Sequence, residues 1–217
     1  MKNRHEVHNL IILDESGSML SIKQNIIKGF NEIVQTVKGI EKQFPEQEHF
    51  ITLVSFNGLE QKIHHFIDPV NKLEQIDARR YNPDASTPLF DAMGFSINKL
   101  RKVLEEKKDC NVLVTILTDG EENSSTEFSG AAIKKLVEEL KLNRWTFTYI
   151  GSEHPVEEFA VSISINNTMS FQKNDADMKK MFDKERSARY GYSAKIREKE
   201  DTGKDFYEED EHDKKNS

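Results

Sequence analysis

The chain has 217 residues, of which 36% are hydrophobic and 32% charged, and its formal net charge is −7. This length is near the size at which one hydrophobic core can grow without splitting, and the apolar content is too high for a wholly disordered chain. The negative charge argues against a general binder of nucleic-acid phosphates, since such proteins carry clustered Lys and Arg. We therefore expect one domain and no nucleic-acid partner.

Cysteine content and hydropathy indicate the cellular compartment in which the protein is expected. Cys110 is the only cysteine, so neither an internal disulfide nor a thiolate zinc cluster can form within the chain. Residues 1–9 are polar, and the apolar run at 10–13 is shorter than the core of a secretory signal. No segment approaches the roughly 20 apolar residues of a membrane-spanning helix. These features predict a soluble monomer in a bacterial-type cytoplasm, without a membrane partner.

The first part of the chain predicts a strand, a helix and a hairpin. Residues 7–13 form an apolar run that is typical of a buried strand, and residues 22–44 carry apolar side chains at helical spacing. Residues 50–56 and 62–67 are rich in residues that favour strands, and Asn57-Gly58 provides a tight turn between them. The two segments predict an antiparallel hairpin.

Strand and helix patterns continue to alternate along the rest of the chain. The predicted elements are a loop at 83–88, a helix at 89–104 with Pro88 at its start, a strand at 111–117, a helix at 128–142, a strand at 145–150, a helix at 156–161, a weak strand at 168–171 and a helix at 176–188. Such alternation predicts a parallel sheet covered by helices on both faces. The expected fold is α/β and Rossmann-like, with three α/β/α layers, a mostly parallel central sheet and one antiparallel edge strand.

Polar residues with ligand chemistry follow the first predicted strand. The segment Asp14-Glu15-Ser16-Gly17-Ser18 presents one carboxylate and two hydroxyls at alternate positions. A set of oxygen ligands without nitrogen or sulfur suits a hard cation such as Mg²⁺. In isolation the segment is equally well explained by a turn at Asp14 and a helix N-cap at Ser18.

Two further segments carry similar residues. Thr87 precedes Pro88 at the start of a predicted helix, where it could also act as an N-cap. Asp119 follows the strand at 111–117 within Thr118-Asp119-Gly120, which alone is typical of an Asp-Gly turn. Ligands of open α/β sheets bind beyond the carboxyl ends of the strands, where the strand order reverses. Asp14 and Asp119 both follow apolar strands and are expected at such a place.

The order Asp-x-Ser-x-Ser, then Thr before Pro, then Thr-Asp-Gly, in a chain of alternating strands and helices, closely resembles the von Willebrand factor A family. The resemblance spans roughly residues 7–188. It implies a metal-ion-dependent adhesion site whose ligands are Asp14, Ser16, Ser18, Thr87 and Asp119. The hydroxyls would coordinate the ion directly, and the carboxylates directly or through water. Many relatives have glycines before the Thr, whereas Asp84-Ala85-Ser86 stand here.

The resemblance also implies a function. The ion is expected to be Mg²⁺, with Mn²⁺ or Ca²⁺ as alternatives, and an Asp or Glu carboxylate of a protein partner would fill its open coordination position. The chain would thus bind without catalysing a reaction. One alternative is a phosphotransferase or phosphatase with Asp14 as nucleophile, but Ser16 stands where a second aspartate is expected. The other is a metal that only stabilises the fold.

The C-terminal segment lies outside the resemblance. From residue 190 the sequence is dominated by charged residues and has few branched aliphatic ones. We predict a domain at 1–189 followed by a charged, disordered tail at 190–217 that is only solvated. A second hypothesis is that the acidic run at 208–211 occupies the open metal position, with Phe206 and Tyr207 as apolar anchors beside it.

Overall fold

The computed structural model describes residues 4–107, 109–152 and 154–208, and a six-stranded sheet lies at its centre in the order β3-β2-β1-β4-β5-β6. The strands are β1 (His5–Asp14), β2 (Gln47–Phe56), β3 (Gln61–Pro69), β4 (Cys110–Leu117), β5 (Trp145–Gly151) and β6 (Asn167–Ser170). Neighbouring strands are parallel except for β2 and β3, which form the antiparallel hairpin. The predicted sheet, including its antiparallel edge strand, is confirmed.

Helices cover both faces of the sheet. They are α1 (Lys23–Gln43), α2 (Leu89–Leu104), α3 (Gly130–Lys141), α4 (Val156–Ser162) and α5 (Asp175–Glu198), with short 3₁₀ turns at Gly17–Ile22 and Val70–Lys72. Successive side chains of a strand point to opposite faces. Ile11 of β1 therefore packs in the core under α1 and α5, and Ile12 in the core under α2, α3 and α4. Two apolar cores give the predicted three layers.

The strand order reverses at β1. The chain passes from β1 to β2 on one side and later returns to β4 on the other side of β1. Leu13 of β1 is paired in register with Leu117 of β4. The residues that follow these two strands therefore meet at the carboxyl edge of the sheet, where a ligand site is expected in this kind of fold. Within the described residues, no helix combines the length and the apolar character needed to cross a membrane.

The structure corrects the prediction for the C-terminal segment. Helix α5 runs to Glu198 instead of ending near residue 188, and the chain then folds back so that Phe206 and Tyr207 are buried. Disorder from residue 190 is therefore wrong for residues 190–208. The prediction failed because charged residues dominate this stretch in number, whereas its few aromatic side chains, Tyr192, Phe206 and Tyr207, are buried in the core. Residues 209–217, with most of the acidic run, lie outside the described residues.

The returning segment docks at the amino edge of the sheet. The Thr146 hydroxyl at the start of β5 donates to the Thr202 carbonyl at 3.0 Å, and the Phe206 N–H donates to Asn167 Oδ1 at the start of β6 at 3.2 Å. The candidate ligand site lies at the opposite, carboxyl edge. The hypothesis that Phe206 and Tyr207 anchor an acidic run beside that site is therefore wrong.

A buried histidine on β2 makes the fold sensitive to acid. Burial, and secondarily the charges of Arg189 and Arg4, lower the pKa of His49 from 6.5 to about 3. Below pH 6.5 the unfolded chain takes up a proton that the folded chain does not, so stability is lost as the pH falls toward the folded pKa. We expect a loss of about 3 kcal/mol between pH 6.5 and about pH 4.5, at ~1.4 kcal/mol per pH unit.

Urea unfolding of the wild type and of His49→Gln at neutral pH and at about pH 4.5 measures this effect. The variant should lose less stability on acidification, because it has no side chain at this position that the unfolded state can protonate. The same acid dependence in both proteins would contradict the assignment.

Candidate functional site

Two predicted carboxylates meet at the carboxyl edge of the sheet. Asp14 is the last residue of β1, Asp119 follows β4 by two residues, and both side chains are almost completely buried. The Thr118 hydroxyl donates to Asp14 Oδ2 at 2.6 Å, which ties the ends of the two strands together. The Tyr81 hydroxyl donates to the Asp14 carbonyl at 2.7 Å. Asp14 is thus held in place through both its side chain and its backbone.

Ser16 and Ser18 connect the two carboxylates. The Ser16 N–H donates to Asp14 Oδ1 at 2.7 Å, the Ser16 and Ser18 hydroxyls are 3.1 Å apart, and the Ser18 hydroxyl donates to Asp119 Oδ1 at 2.6 Å. The N-cap of the following 3₁₀ turn is Ser16, and its side chain makes no capping hydrogen bond. The hydroxyls therefore point into the site, and the alternative that Ser18 is a helix cap is not what the structure has.

The Thr87 hydroxyl lies near Gly120, the residue that follows Asp119. If Gly120 carried a Cβ atom, that atom would lie 3.8 Å from the Thr87 hydroxyl oxygen and 4.0 Å from the Ser18 hydroxyl oxygen. Both hydroxyls therefore lie close to the same backbone position, next to Asp119. The N-cap residue of α2 is Pro88, without a side-chain capping bond, so Thr87 does not serve as the helix cap. All five predicted positions are brought to one edge of the sheet.

Asn123 positions Thr87 and was not predicted from the sequence. The Thr87 N–H donates to Asn123 Oδ1 at 3.0 Å, and the Asn123 N–H donates to the Thr87 carbonyl at 3.2 Å. The loop after β4 thereby fixes the backbone from which the Thr87 hydroxyl projects. Nearby, Glu122 accepts hydrogen bonds from the Phe90 and Ser125 N–H groups, so it holds this loop against α2.

The loop before Thr87 departs from the family pattern at a conformationally demanding position. Ala85 has a φ of 63°, in the left-handed region that favours glycine. Its carbonyl accepts a hydrogen bond from the Gly17 N–H at 3.0 Å, which joins this loop to the serine segment. Asp84 is exposed and accepts from the Ala85 N–H, so its carboxylate faces solvent instead of the site.

Glu15, between the candidate ligands, has a structural role. Its buried carboxylate accepts hydrogen bonds from the Ser55 hydroxyl at 2.5 Å, from the Lys62 ammonium at 3.0 Å and from the Asn82 N–H. These contacts connect the end of β1 to β2, β3 and the loop at 81–84. Every hydrogen bond that Glu15 accepts here comes from this scaffold, so we do not count it among the ligands.

Burial and neighbouring charge determine the electrostatics of the site. Burial raises the pKa of Asp14 to about 6, the negative charge of Asp119 also raises it, and hydrogen bonds from Thr118 and Ser16 oppose the rise. Two partly desolvated carboxylates this close repel each other and are stabilised by positive charge. A set of two carboxylates and three hydroxyls fits the preference of hard cations for oxygen.

The set of candidate metal ligands nevertheless differs from a conventional acidic metal cluster. Among residues 4–107, 109–152 and 154–208, no group of three or more His, Cys, Asp and Glu side chains is arranged to hold a metal ion. Hydroxyls make up the majority of the candidate ligands here, so the site carries less negative charge than such a cluster.

A lysine that the sequence did not single out reaches the site. Lys173, in the loop between β6 and α5, places its ammonium nitrogen 2.7 Å from Asp119 Oδ2. Asp119 Oδ2 is buried and the Lys173 side chain is mostly buried, so this ion pair is largely shielded from water. No local pattern could have identified Lys173, because 54 positions separate it from Asp119 and only the fold brings them together.

Comparisons with known proteins agree with this architecture. One solved structure similar to this chain is "von Willebrand factor type A from Catenulispora acidiphila", with a TM-score of 0.56 and 16% identity. The match covers 87% of this chain and 43% of that one. Proximal thread matrix protein 1 from the mussel byssus has a TM-score of 0.53 and 14% identity, over 83% of this chain and 45% of that one. This chain thus spans less than half the length of either.

A shorter structure is matched over most of its length. The SpRpn10 VWA domain has a TM-score of 0.54 and 11% identity, and the match covers 80% of this chain and 92% of that domain. At such identities the likeness shows the fold alone. No curated protein sequence matches the chain. The family model described as the von Willebrand factor type A domain matches residues 10–184, and the chain therefore belongs to the von Willebrand factor type A domain family.

Proposed function

We propose that this protein is a metal-dependent protein-binding module that presents a divalent cation, Mg²⁺ in the first instance, to an acidic residue of a protein partner. The supporting observation is the hydrogen-bonded chain that runs from Asp14 through the N–H of Ser16 and the hydroxyls of Ser16 and Ser18 to Asp119, with the Thr87 hydroxyl nearby. Domains of this family generally mediate protein–protein interactions, and we propose the same role here, for a cytoplasmic monomer.

The ligand chemistry explains why an acidic partner is expected. Ser16, Ser18 and Thr87 would hold the ion through neutral hydroxyls, and Asp14 and Asp119 would act directly or through water. Only two of the five ligands carry a charge, and where Asp14 or Asp119 acts through water the ion is not neutralised in its direct coordination, so a partner carboxylate gains a strong electrostatic interaction. Mg²⁺ usually keeps several waters, and a partner oxygen can replace one of them. When bound, the ion supplies an electrophilic position for that oxygen.

The surroundings of Asp14 support binding over catalysis. A nucleophilic aspartate needs an oxygen that a substrate can reach, whereas Asp14 is 0% exposed and its two oxygens accept hydrogen bonds from the Ser16 N–H and the Thr118 hydroxyl. Ser16, two residues further on, has no carboxyl group to act as a general acid or base. We therefore propose no catalytic residue.

Titration calorimetry with Mg²⁺ and Mn²⁺ tests the metal site. We expect one site in the wild type, loss of binding in Asp14→Ala, and weaker binding in Ser16→Ala, Ser18→Ala, Thr87→Ala and Asp119→Ala. Asp84→Ala is a matched control, because Asp84 is a nearby carboxylate that faces solvent, and it should bind as the wild type does. If Asp14→Ala and Asp119→Ala retain wild-type affinity, the metal site is refuted.

A second measurement distinguishes a metal that binds a partner's carboxylate from a metal that only stabilises the fold. Immobilised protein is probed with a set of peptides that carry Asp or Glu at one position, and with matched peptides in which that residue is Asn or Gln. Binding of an acidic peptide in Mg²⁺, and its loss in chelator or in Thr87→Ala, supports presentation. Metal binding that raises thermal stability without any carboxylate-dependent binding would favour the structural alternative.

A further inference from the structure

Lys173 lies in a turn whose neighbouring residues are held by hydrogen bonds. The preceding residue, Gln172, donates its N–H to Asp177 Oδ2 at 2.6 Å, and the following residue, Asn174, caps α5 by accepting from the Asp177 N–H at 2.9 Å. The Phe171 N–H donates to the Gly151 carbonyl at 3.0 Å. Lys173 therefore extends from a backbone that is fixed on both sides.

The ion pair between Lys173 and Asp119 is shielded from solvent. The Lys173 side chain is 14% exposed and the Asp119 side chain 0% exposed, with 2.7 Å between the ammonium nitrogen and Oδ2. Exposed pairs contribute little because water screens them, whereas the attraction increases as the surroundings become less polar. Removing one partner of a buried pair leaves an uncompensated charge. Lys173 thus neutralises one of the two carboxylates of the site.

We propose that Lys173 is a tethered cation that competes with the divalent ion for Asp119. The inference rests on the proposed metal site and concerns how readily that site fills. An ion bound at Asp119 and the Lys173 ammonium repel each other, and they share one carboxylate. The ion must therefore displace the ammonium from Asp119 or tolerate it nearby, and in either case metal affinity is lower than the five oxygen ligands alone would give.

The charge of the site links metal binding to the binding of an acidic partner. Asp14 and Asp119 contribute two negative charges, which a divalent ion already balances, so the Lys173 ammonium 2.7 Å from Asp119 Oδ2 makes the surroundings of a bound ion more positive. An incoming carboxylate is attracted by that positive charge. Because coupling between two ligands is reciprocal, an acidic partner should tighten metal binding as much as the metal tightens partner binding.

Manganese titration of the 217-residue chain tests the proposal. Mn²⁺ is measured by calorimetry and by the loss of its free-ion electron paramagnetic resonance signal, in the wild type, Lys173→Met, Lys173→Arg and Lys180→Met. We expect Lys173→Met to bind at least about tenfold more tightly, since a neutral side chain of similar length no longer repels the ion. Lys173→Arg should stay near the wild type, and Lys180→Met, an exposed position on α5, should match it.

Thermal unfolding gives a second readout. In chelator, Lys173→Met should melt below the wild type, because Asp119 loses its counter-charge. Mg²⁺ should then raise its melting temperature by more than it raises that of the wild type. If Lys173→Met does not fold, Lys173→Gln replaces it, because its amide keeps the side chain polar without the charge.

The outcomes separate this inference from the proposed function. Equal Mn²⁺ affinity in the wild type and Lys173→Met overturns the competition and leaves the metal site standing. Binding by Lys173→Met alone supports the competition and refutes metal presentation by the native chain. Absence of binding in every variant overturns both.

Discussion

Replacing Phe206 with Ala is expected to lower the free energy of unfolding by about 3 to 5 kcal/mol, the usual loss for a large aromatic side chain removed from a core. Phe206 is 5% exposed, packs edge-on against Tyr192 of α5 and against Tyr207, and belongs to the core between α5 and the sheet. A disordered tail, as the sequence predicted, would show almost no effect.

Urea unfolding of the wild type, Phe206→Ala and Leu142→Ala measures this contribution. Leu142 is a large apolar residue of which 86% is exposed, so its replacement should change stability by less than ~0.5 kcal/mol. A similarly small change in Phe206→Ala would mean that the segment after α5 is not docked in solution.

Replacing Arg189 with Met should also be strongly destabilising, by about 3 to 5 kcal/mol, because it leaves a buried carboxylate without its partner. Arg189 is 2% exposed and Glu185 0% exposed. The guanidinium donates to Glu185 Oε1 at 2.9 Å, to Asn9 Oδ1 at 2.9 Å and to the Thr115 hydroxyl at 2.8 Å. One side chain thus connects α5 to β1 and β4.

The double variant Glu185→Gln/Arg189→Met distinguishes charge from packing. It removes both charges and keeps side chains of similar size, so it should recover a large part of the stability lost in Arg189→Met. The Tyr207 hydroxyl, which donates to Glu185 Oε2 at 2.8 Å, can donate instead to the amide carbonyl that the Glu185→Gln substitution introduces. If the double variant is as unstable as the single one, the loss comes from packing and from the hydrogen bonds to Asn9 and Thr115.

The predicted site positions were accessible from the sequence because each belongs to a short local pattern. Asp14, Ser16 and Ser18 follow an apolar strand within five residues, and Thr87 and Asp119 stand at similarly marked element ends. The structure brings these five together, and their role as metal ligands stays a prediction. Asn123 could not be identified in this way, because asparagine in a polar loop is ordinary, and only the packing of two loops shows that it clamps Thr87.

By itself the sequence determined the layered α/β fold, its antiparallel edge strand and the strand ends at which the candidate ligands lie. These features depend on the spacing of apolar residues and on turn chemistry, which are local properties of the chain. Only the tertiary structure decided that Lys173 reaches Asp119, that Arg189 is buried with Glu185, and that residues 199–208 return to the sheet. A sequence does not show whether a charged side chain is solvated by water or paired with a distant residue. The pairing depends on which remote segments the fold brings together.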